Sequence, residues 1–204
     1  PGLVEAMGRE RFISRLNEGF EKSRPTRFAF PPGGDDRTVQ SAVDHGNQPT
    51  MQVSWLFNWA NEPWLTQKWV RAILKAYYGY NPKDAYLGDE DQGQMSSWFV
   101  MSAIGLFQMD GGCSVQPVYE LSAPLYPKIT LNLSKQHYGG KTFVIEAPQA
   151  SPDNCYIQSA TLNGKPLNQW WITWQDVRKG GKLVLELGPT PNKSWAKDGP
   201  VPPR

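Results

Sequence analysis

The densest group of polar side chains is the run Gly88-Asp89-Glu90-Asp91-Gln92-Gly93-Gln94, directly before a predicted helix. Asp89 and Asp91, two residues apart on a non-helical segment, could project into one cleft, where one ionised carboxylate takes a proton from water and the other supports it. Asp91 and Gln94 also have the spacing of a capping box, and an acid near a helix N-terminus stabilises it by about 0.3–1 kcal/mol. The residues leave both a general base and a helix cap open.

A second polar group, Asp44-His45-Gly46-Asn47-Gln48-Pro49, ends where another helix is predicted to begin. The oxygens of Asn47 and Gln48 are hard ligands that suit Ca²⁺, which takes about 6–8 oxygens. Taken alone, Asn47 is better explained as a helix cap or turn residue. His45 by itself is weak evidence for zinc, and the sequence contains no Ser/His/Asp set, Walker loop or dinucleotide-binding glycine motif.

The hydrophobic spacing predicts four helices that would position these polar groups. Apolar residues recur at helical spacing before the Pro- and Gly-rich loop 25–36, and again after Pro49, after Pro63 and after Asp91. Proline suits the first turn of a helix, so Pro49 and Pro63 mark two of the starts. Antiparallel helical pairs over residues 1–110 are expected. The predicted helices cover residues 3–20, 49–59, 63–77 and 91–105.

Beyond Gly112 the pattern changes to short alternating runs, which predict half-buried strands. Pairs that tolerate positive φ, such as Asn163-Gly164, lie beside these runs and suit tight hairpins. The expected fold class is α+β, with an antiparallel β-rich, sandwich-like region over residues 111–204. Trp170, Trp171 and Trp174 are expected to pack in its core. The predicted strands are 128–133, 142–146, 156–162 and 182–187, with Gly139-Gly140 and Gly180-Gly181 as further turns.

Composition narrows the functional classes. The 204 residues fit one large domain or two small ones, and a net charge of +2 does not suit a nucleic-acid or polybasic membrane surface. No apolar stretch approaches the roughly 20 residues of a membrane span. Two cysteines do not make a disulfide scaffold or a four-ligand zinc site. The chain lacks an initiator Met and opens inside a predicted amphipathic helix, which suggests a fragment.

Five motifs in one order carry a family resemblance. The runs 45–49, 64–71 and 88–98 resemble the C-terminal part of glycoside hydrolase family 92, and the runs 156–166 and 191–195 resemble the closing β-region of that family. The resemblance extends over most of the chain. Each motif is short, but five in the same order are specific.

The resemblance implies an inverting, calcium-dependent exo-α-mannosidase of the α-1,2 type, built from an (α/α)₆ barrel and a β-sandwich. Asp91 would then be the general base and Asp89 its partner, with Glu90 and Gln94 in contact with the substrate. Asn47, Gln48 and Asp91 would hold the Ca²⁺. The implied partners are mannose-containing glycans and the upstream part of the same enzyme, and the implied location is secreted, periplasmic or on the outer cell surface.

Two departures from the family pattern bear on this expectation. An inverting glycosidase needs an acid about 6.5–9.5 Å from its base, yet the family's acid is a Glu upstream of every motif found here. Gln48 also stands where the family often has Glu, which lowers the negative charge of the site. A carbohydrate-binding or scaffolding module that has lost catalysis is therefore the alternative.

Overall fold

The structure is a computed structural model that describes residues 2–29, 43–88 and 90–203. The helical region contains helices α1 to α5 and three 3-10 helices. The third predicted helix is confirmed, with Pro63 in its first turn. The bounds are α1 Gly2–Met7, α2 Arg9–Ser23, the 3-10 helix Arg24–Thr26, the 3-10 helix Gln48–Trp55, α3 Leu56–Trp59, α4 Pro63–Ala76, the 3-10 helix Asp91–Gly93 and α5 Gln94–Ala103.

Three of the predicted helices are interrupted. The first is divided into α1 and α2 at Gly8, whose φ of 78° is left-handed. The second is mostly a 3-10 helix, Gln48–Trp55, and becomes α-helical over only four residues. The fourth begins with a 3-10 turn that ends in the left-handed residues Gln92 and Gly93, with φ of 57° and 78°. Hydrophobic spacing detects the helical face, but it does not report these local changes of backbone path.

The core of the helical region is aromatic. Trp69 is fully buried and stacks on Phe20 with their ring centroids 5.0 Å apart. Trp55 is also fully buried and stacks on Phe107 at 4.9 Å. Aromatic side chains bury about 150–250 Å² each, so these rings account for much of the packing of this region. The first pair joins α2 to α4, and the second joins the 3-10 helix Gln48–Trp55 to Phe107.

The β-region forms two sheets, and one of its pairings corrects the prediction. The predicted strands 142–146 and 156–162 are found with those bounds. However, β4 pairs in parallel with β8, whereas the other pairings are antiparallel. A parallel pair needs a long crossover connection, and the segment between β4 and β8 provides one. The strands are β1 Leu106–Phe107, β2 Val118–Leu121, β3 Lys128–Asn132, β4 Thr142–Glu146, β5 Tyr156–Leu162, β6 Lys165–Pro166, β7 Trp171–Thr173 and β8 Gly181–Gly188, in sheet orders β1-β2-β7 and β3-β4-β8-β5-β6.

The predicted turns and tryptophans have mixed outcomes. Asn163 and Gly164 both have positive φ and join β5 to β6 in a two-residue hairpin, as predicted. Gly139 instead ends a short helix, α6 Lys135–Tyr138. Trp170 and Trp171 are buried, but Trp174 begins helix α7 Trp174–Arg178 and stays partly exposed. The expected core packing is confirmed for Trp170 and Trp171, and Trp174 packs against the same core from its edge.

Buried polar side chains fasten the helices to the sheets. The Arg71 guanidinium on α4 donates to the carbonyl oxygens of Ser151 at 2.6 Å and Pro124 at 2.9 Å. The carboxyl group of Glu120 on β2 accepts from Asn58 Nδ2 at 2.8 Å and Trp59 Nε1 at 2.7 Å. Because burying a polar group without a partner is costly, each contact specifies how the two regions pack. Within the described residues, no helix is long and apolar enough to cross a membrane.

Candidate active site

The two polar motifs of the sequence meet in space at a pair of glycines. A Cβ atom on Gly88 would lie 2.6 Å from the Cα of Gly46 and 2.6 Å from the Tyr77 hydroxyl oxygen. A Cβ atom on Gly46 would lie 2.7 Å from the same hydroxyl oxygen. These distances are too short for real Cβ contacts, so glycine at both positions is what lets the two backbones touch. The loop that contains Asn47 and the acidic loop are therefore neighbours.

A buried histidine anchors the first of these loops. His45 is fully buried, and its Nε2 lies 2.9 Å from the Tyr78 hydroxyl, which donates to the carbonyl oxygen of Met95 at 3.1 Å. Because the Tyr78 hydroxyl donates its one proton to the Met95 carbonyl oxygen, the Nε2–H of His45 is the donor to the Tyr78 oxygen. Burial lowers the pKa of His45 to about 3. The imidazole is thus neutral at physiological pH and orients the loop rather than transferring protons.

The acidic loop uses one of its carboxylates to start helix α5. Both oxygens of Glu90 accept from the backbone N–H of Ser96, at 3.1 and 3.2 Å. Gly93 occupies the N-cap position and has no side chain of its own, so the Glu90 carboxylate satisfies the Ser96 N–H in its place. The capping box expected from Asp91 and Gln94 is therefore wrong, because the left-handed turn at Gln92 takes Asp91 out of the N-cap position.

A cavity of about 630 Å³ opens beside the two loops. Glutamine side chains from both motifs line it, with Gln48 and Gln52 on one 3-10 helix and Gln94 at the start of α5. A volume between about 300 and 1,000 Å³ is typical of small-molecule sites, which combine apolar walls with a few polar groups. The remaining lining residues are Met51, Gln92, Ser97, Trp98, Met101, Phe107, Gln108, Met109, Gly111 and Tyr119.

The predicted site residues divide into two groups. Gln48 and Gln94 line the same cavity. Asn47, Glu90 and Asp91 belong to the two adjoining loops but are not lining residues, and Asn47 and Asp91 are exposed. The other predicted catalytic residue, Asp89, lies outside the described residues.

The sequence reasoning missed several cavity residues that helical spacing could have indicated. Trp98 follows Gln94 by four positions on α5, and its Nε1 donates to the Met51 carbonyl oxygen at 3.0 Å. Met101 follows Ser97 by four positions on the same helix. Residues four apart share one helix face, so the presence of Gln94 in the site pointed to Trp98.

The donor atoms of the two loops suit a hard cation. Asn47, Gln48 and Asp91 carry amide and carboxylate oxygens, and the neighbouring Asp44 accepts from the Gly46 N–H through Oδ1 at 3.1 Å. The His45 nitrogen Nε2 is occupied by Tyr78. Oxygen ligands are what Ca²⁺ prefers, so the chemistry of this donor set fits calcium.

Comparisons with known proteins give the family. The model of the Glycosyl hydrolase family 92 catalytic domain matches residues 1–189. An uncharacterized secreted glycosidase of Arthroderma benhamiae is 29% identical over 160 residues, which are 78% of this chain and 20% of that protein. The mixed α and β fold is also that of solved family members.

Two solved structures from Bacteroides thetaiotaomicron illustrate the likeness. The family GH92 alpha-mannosidase BT3965 is 33% identical with a TM-score of 0.82, and the match covers 99% of this chain and 25% of that protein. The family GH92 inverting mannosidase BT2199 is 30% identical with a TM-score of 0.75, covering 96% of this chain and 26% of that protein. The chain thus spans about a quarter of the length of these proteins, and it belongs to glycosyl hydrolase family 92.

Proposed function

We propose that this chain is the C-terminal portion of a secreted, inverting, calcium-dependent exo-α-mannosidase with α-1,2 preference. It supplies the general base and part of the calcium site, on the last helices of an (α/α)₆ barrel and the β-sandwich that follows. The observation that carries the proposal is the contact between Gly46 and Gly88, which brings the two polar motifs together beside one cavity. The mannosidases among the solved relatives support the substrate class.

Asp91 is the general base in this proposal. Its carboxylate is exposed at the start of the 3-10 turn, whereas the carboxylate of Glu90 is engaged by the Ser96 N–H. A general base must be ionised and accessible to the water that it deprotonates. Asp89, the acid two residues earlier, is its supporting partner.

Asn47, Gln48 and Asp91 would hold the calcium ion. When bound, the ion would supply a positive charge that favours binding of sugar hydroxyl oxygens. Gln48 also lines the cavity, so one of the proposed calcium ligands adjoins the space for the sugar.

Gln94 and Glu90 bind the substrate in this proposal. The Gln94 amide lines the cavity and offers both a donor and an acceptor to sugar hydroxyls. Glu90 has carboxylate lone pairs beyond those that accept from Ser96, and these can receive a sugar hydroxyl. Trp98 also lines the cavity, but it is buried and stacks on Tyr78, so it supports the wall from behind.

The general acid comes from another part of the protein. No glutamate among the described residues lines the cavity. Glu120 is fully buried on Asn58 and Trp59, so it cannot reach a leaving group. An inverting mechanism also needs a separation of about 6.5–9.5 Å between acid and base. The part of the enzyme that lies outside this chain therefore completes the site.

The test is Asp91→Asn in the intact protein. Loss of the general base lowers kcat for α-1,2-mannobiose by about 10²–10⁴-fold, because proton transfer contributes about that much. Turnover is measured by the release of mannose, and NMR of the first-formed anomer reports inversion. Asp153→Asn is the matched control, since Asp153 is an exposed acid in the β-region.

Wild-type turnover in Asp91→Asn would contradict the assignment of the base. Binding of mannose with no turnover in the wild-type intact protein would contradict the hydrolase. Faster cleavage of α-1,3- or α-1,6-mannobiose would overturn the linkage preference alone.

A further inference from the structure

Three aromatic side chains form a continuous run from the cavity onto the surface of the β-region. Tyr119 lines the cavity, and its ring centroid lies 6.3 Å from that of Trp174. Trp174 in turn lies 5.3 Å from Tyr138. Both pairs are edge-to-face, with interplanar angles of 69° and 85°. We call Tyr119, Trp174 and Tyr138 the aromatic ridge.

The ridge is assembled from three separate elements and is partly exposed to solvent. Tyr119 is the partly exposed residue of β2, Trp174 is the first residue of α7 and Tyr138 is the last residue of α6. All three rings retain exposed surface, and Tyr138 is 36% exposed. Trp170 and Trp171, close to Trp174 in sequence, are buried. Tyr119 and Trp174 pack against the core that contains Trp170 and Trp171, so the ridge is the partly exposed edge of that core.

The chemistry of the ridge suits a saccharide. Aromatic rings pack against the C–H faces of sugar rings, and tyrosine adds a hydroxyl that can bond a sugar hydroxyl. Burial raises the pKa of Tyr119, so its hydroxyl keeps its proton as a donor. The exposed imidazole of His137 lies 6.2 Å from the Tyr138 ring and adds another polar group.

The position of the ridge indicates which part of a glycan it meets. An exo-acting enzyme holds the terminal sugar in its cavity, and the rest of the glycan must extend over the rim of the cavity. Tyr119 belongs both to the cavity and to the ridge. The ridge is thus continuous with the proposed active site at one of its edges.

We infer that the aromatic ridge binds the sugars that lie beyond the mannose being released. This inference rests on the proposed function, since it takes the cavity as the site of the terminal mannose. It assigns the ridge a preference for mannose oligosaccharides over short substrates. Trp174 is its central contact because it touches both neighbours.

The test compares a long and a short substrate in the intact protein. For Trp174→Ala, kcat/KM for an α-mannopentaose falls about five- to tenfold, whereas kcat/KM for an aryl α-mannoside changes by less than about twofold. Trp174→Phe keeps an aromatic face and retains most of the activity on the pentaose. Tyr80→Ala is the matched control, because Tyr80 is a fully exposed tyrosine outside the ridge.

Each outcome bears on the inference. Equal losses on both substrates, or no loss on the pentaose, would overturn it, and thermal unfolding identifies a variant that fails to fold. If Trp174→Ala does not fold, Tyr138→Ala replaces it in the comparison. Equal kinetics of Tyr138→Ala and the wild type on the pentaose would then overturn the inference.

A binding measurement separates this inference from the proposed function. If the wild-type protein cleaves neither substrate, the proposed hydrolase fails while calorimetry with the pentaose still decides the ridge. Binding that weakens about tenfold in Trp174→Ala supports the ridge. Equal binding by wild type and variant, or no binding by the wild type, contradicts it.

Discussion

The helical region and the β-region bury different kinds of side chain. Among the described residues, the buried polar or charged side chains lie in the helical region, apart from Glu120 on β2 and Ser122 directly after it. Beyond that residue the buried side chains are apolar, with Phe143, Ile145 and Leu183 fully buried in the second sheet. The buried polar residues are Ser23, His45, Ser54, Asn58, Thr66, Gln67, Arg71, Ser102, Glu120 and Ser122.

This difference separates two ways of holding a structure together. An apolar core is non-directional and tolerates small shifts, whereas a buried hydrogen bond specifies the position of its partner. Gln67 shows the second way, since its Oε1 accepts from the backbone N–H of Ile157 at 3.0 Å and thereby ties α4 to β5. We infer that the polar contacts hold the loops of the candidate site in place, while the sheets supply stability.

The largest expected effect is in the apolar core. Phe143→Ala removes a fully buried ring from β4 and should lower the free energy of unfolding by about 3–5 kcal/mol, through lost burial and the cavity left behind. Urea unfolding measures the change. Tyr126→Ala, at a half-exposed tyrosine, is the control and should change stability little. A loss below about 1 kcal/mol for Phe143→Ala would contradict the view that the sheets carry the stability.

A smaller loss is expected where α4 is fastened to the β-region. Arg71→Met keeps a long side chain but leaves the carbonyl groups of Ser151 and Pro124 without their donor. Hydrogen bonds to charged groups contribute about 1.5–3 kcal/mol, so we expect a loss of about 2–4 kcal/mol in the free energy of unfolding. Lys75→Met on the same helix is the matched control, because Lys75 is exposed. Equal stability of the two variants would show that the Arg71 contacts are not what joins the regions.

The strands, helices and turns that depend on local sequence patterns could be predicted. The bounds of β4 and β5 followed from alternation, and the hairpin at Asn163 and Gly164 followed from residues that accept positive φ. The parallel pairing of β4 with β8 did not follow, because it joins segments that are far apart in the chain. A period of two identifies a strand but not its partner.

The site was predicted in residue type more than in geometry. The motif residues Gln48 and Gln94 line one cavity, but the contact that joins their loops involves Gly46, Gly88 and Tyr77. Tyr119 was missed because it comes from a short strand that the alternation analysis did not detect. Contacts between distant segments depend on tertiary packing, which periodicity and motif spacing do not encode.

The smallest expected effect is a pH dependence that originates at Glu120. Burial raises the pKa of Glu120 to about 8, against the opposing hydrogen bonds from Asn58 and Trp59. The ordinary value is 4.5, so between pH 4.5 and 8 the folded protein holds a proton that the unfolded chain has released. Stability therefore falls as pH rises through this range, by at most about 1.4 kcal/mol per pH unit.

Glu120→Gln removes this titration and should flatten the pH profile. The informative window is pH 6.5 to 8, because the lowered pKa of His45 affects stability only below about pH 6.5. Between pH 6.5 and 8 the free energy of unfolding of the wild-type protein falls by up to about 2 kcal/mol more than that of the variant. In Glu120→Gln, the amide N–H of the new side chain faces one of the two donors, Asn58 Nδ2 or Trp59 Nε1. Two donors facing each other change the stability by the same amount at every pH, so the pH profile is displaced without a change of slope. If the urea midpoints of the two proteins change with pH in parallel, Glu120 is ionised in the folded protein. Asn58 and Trp59 would then donate to a buried carboxylate and not to a neutral acid.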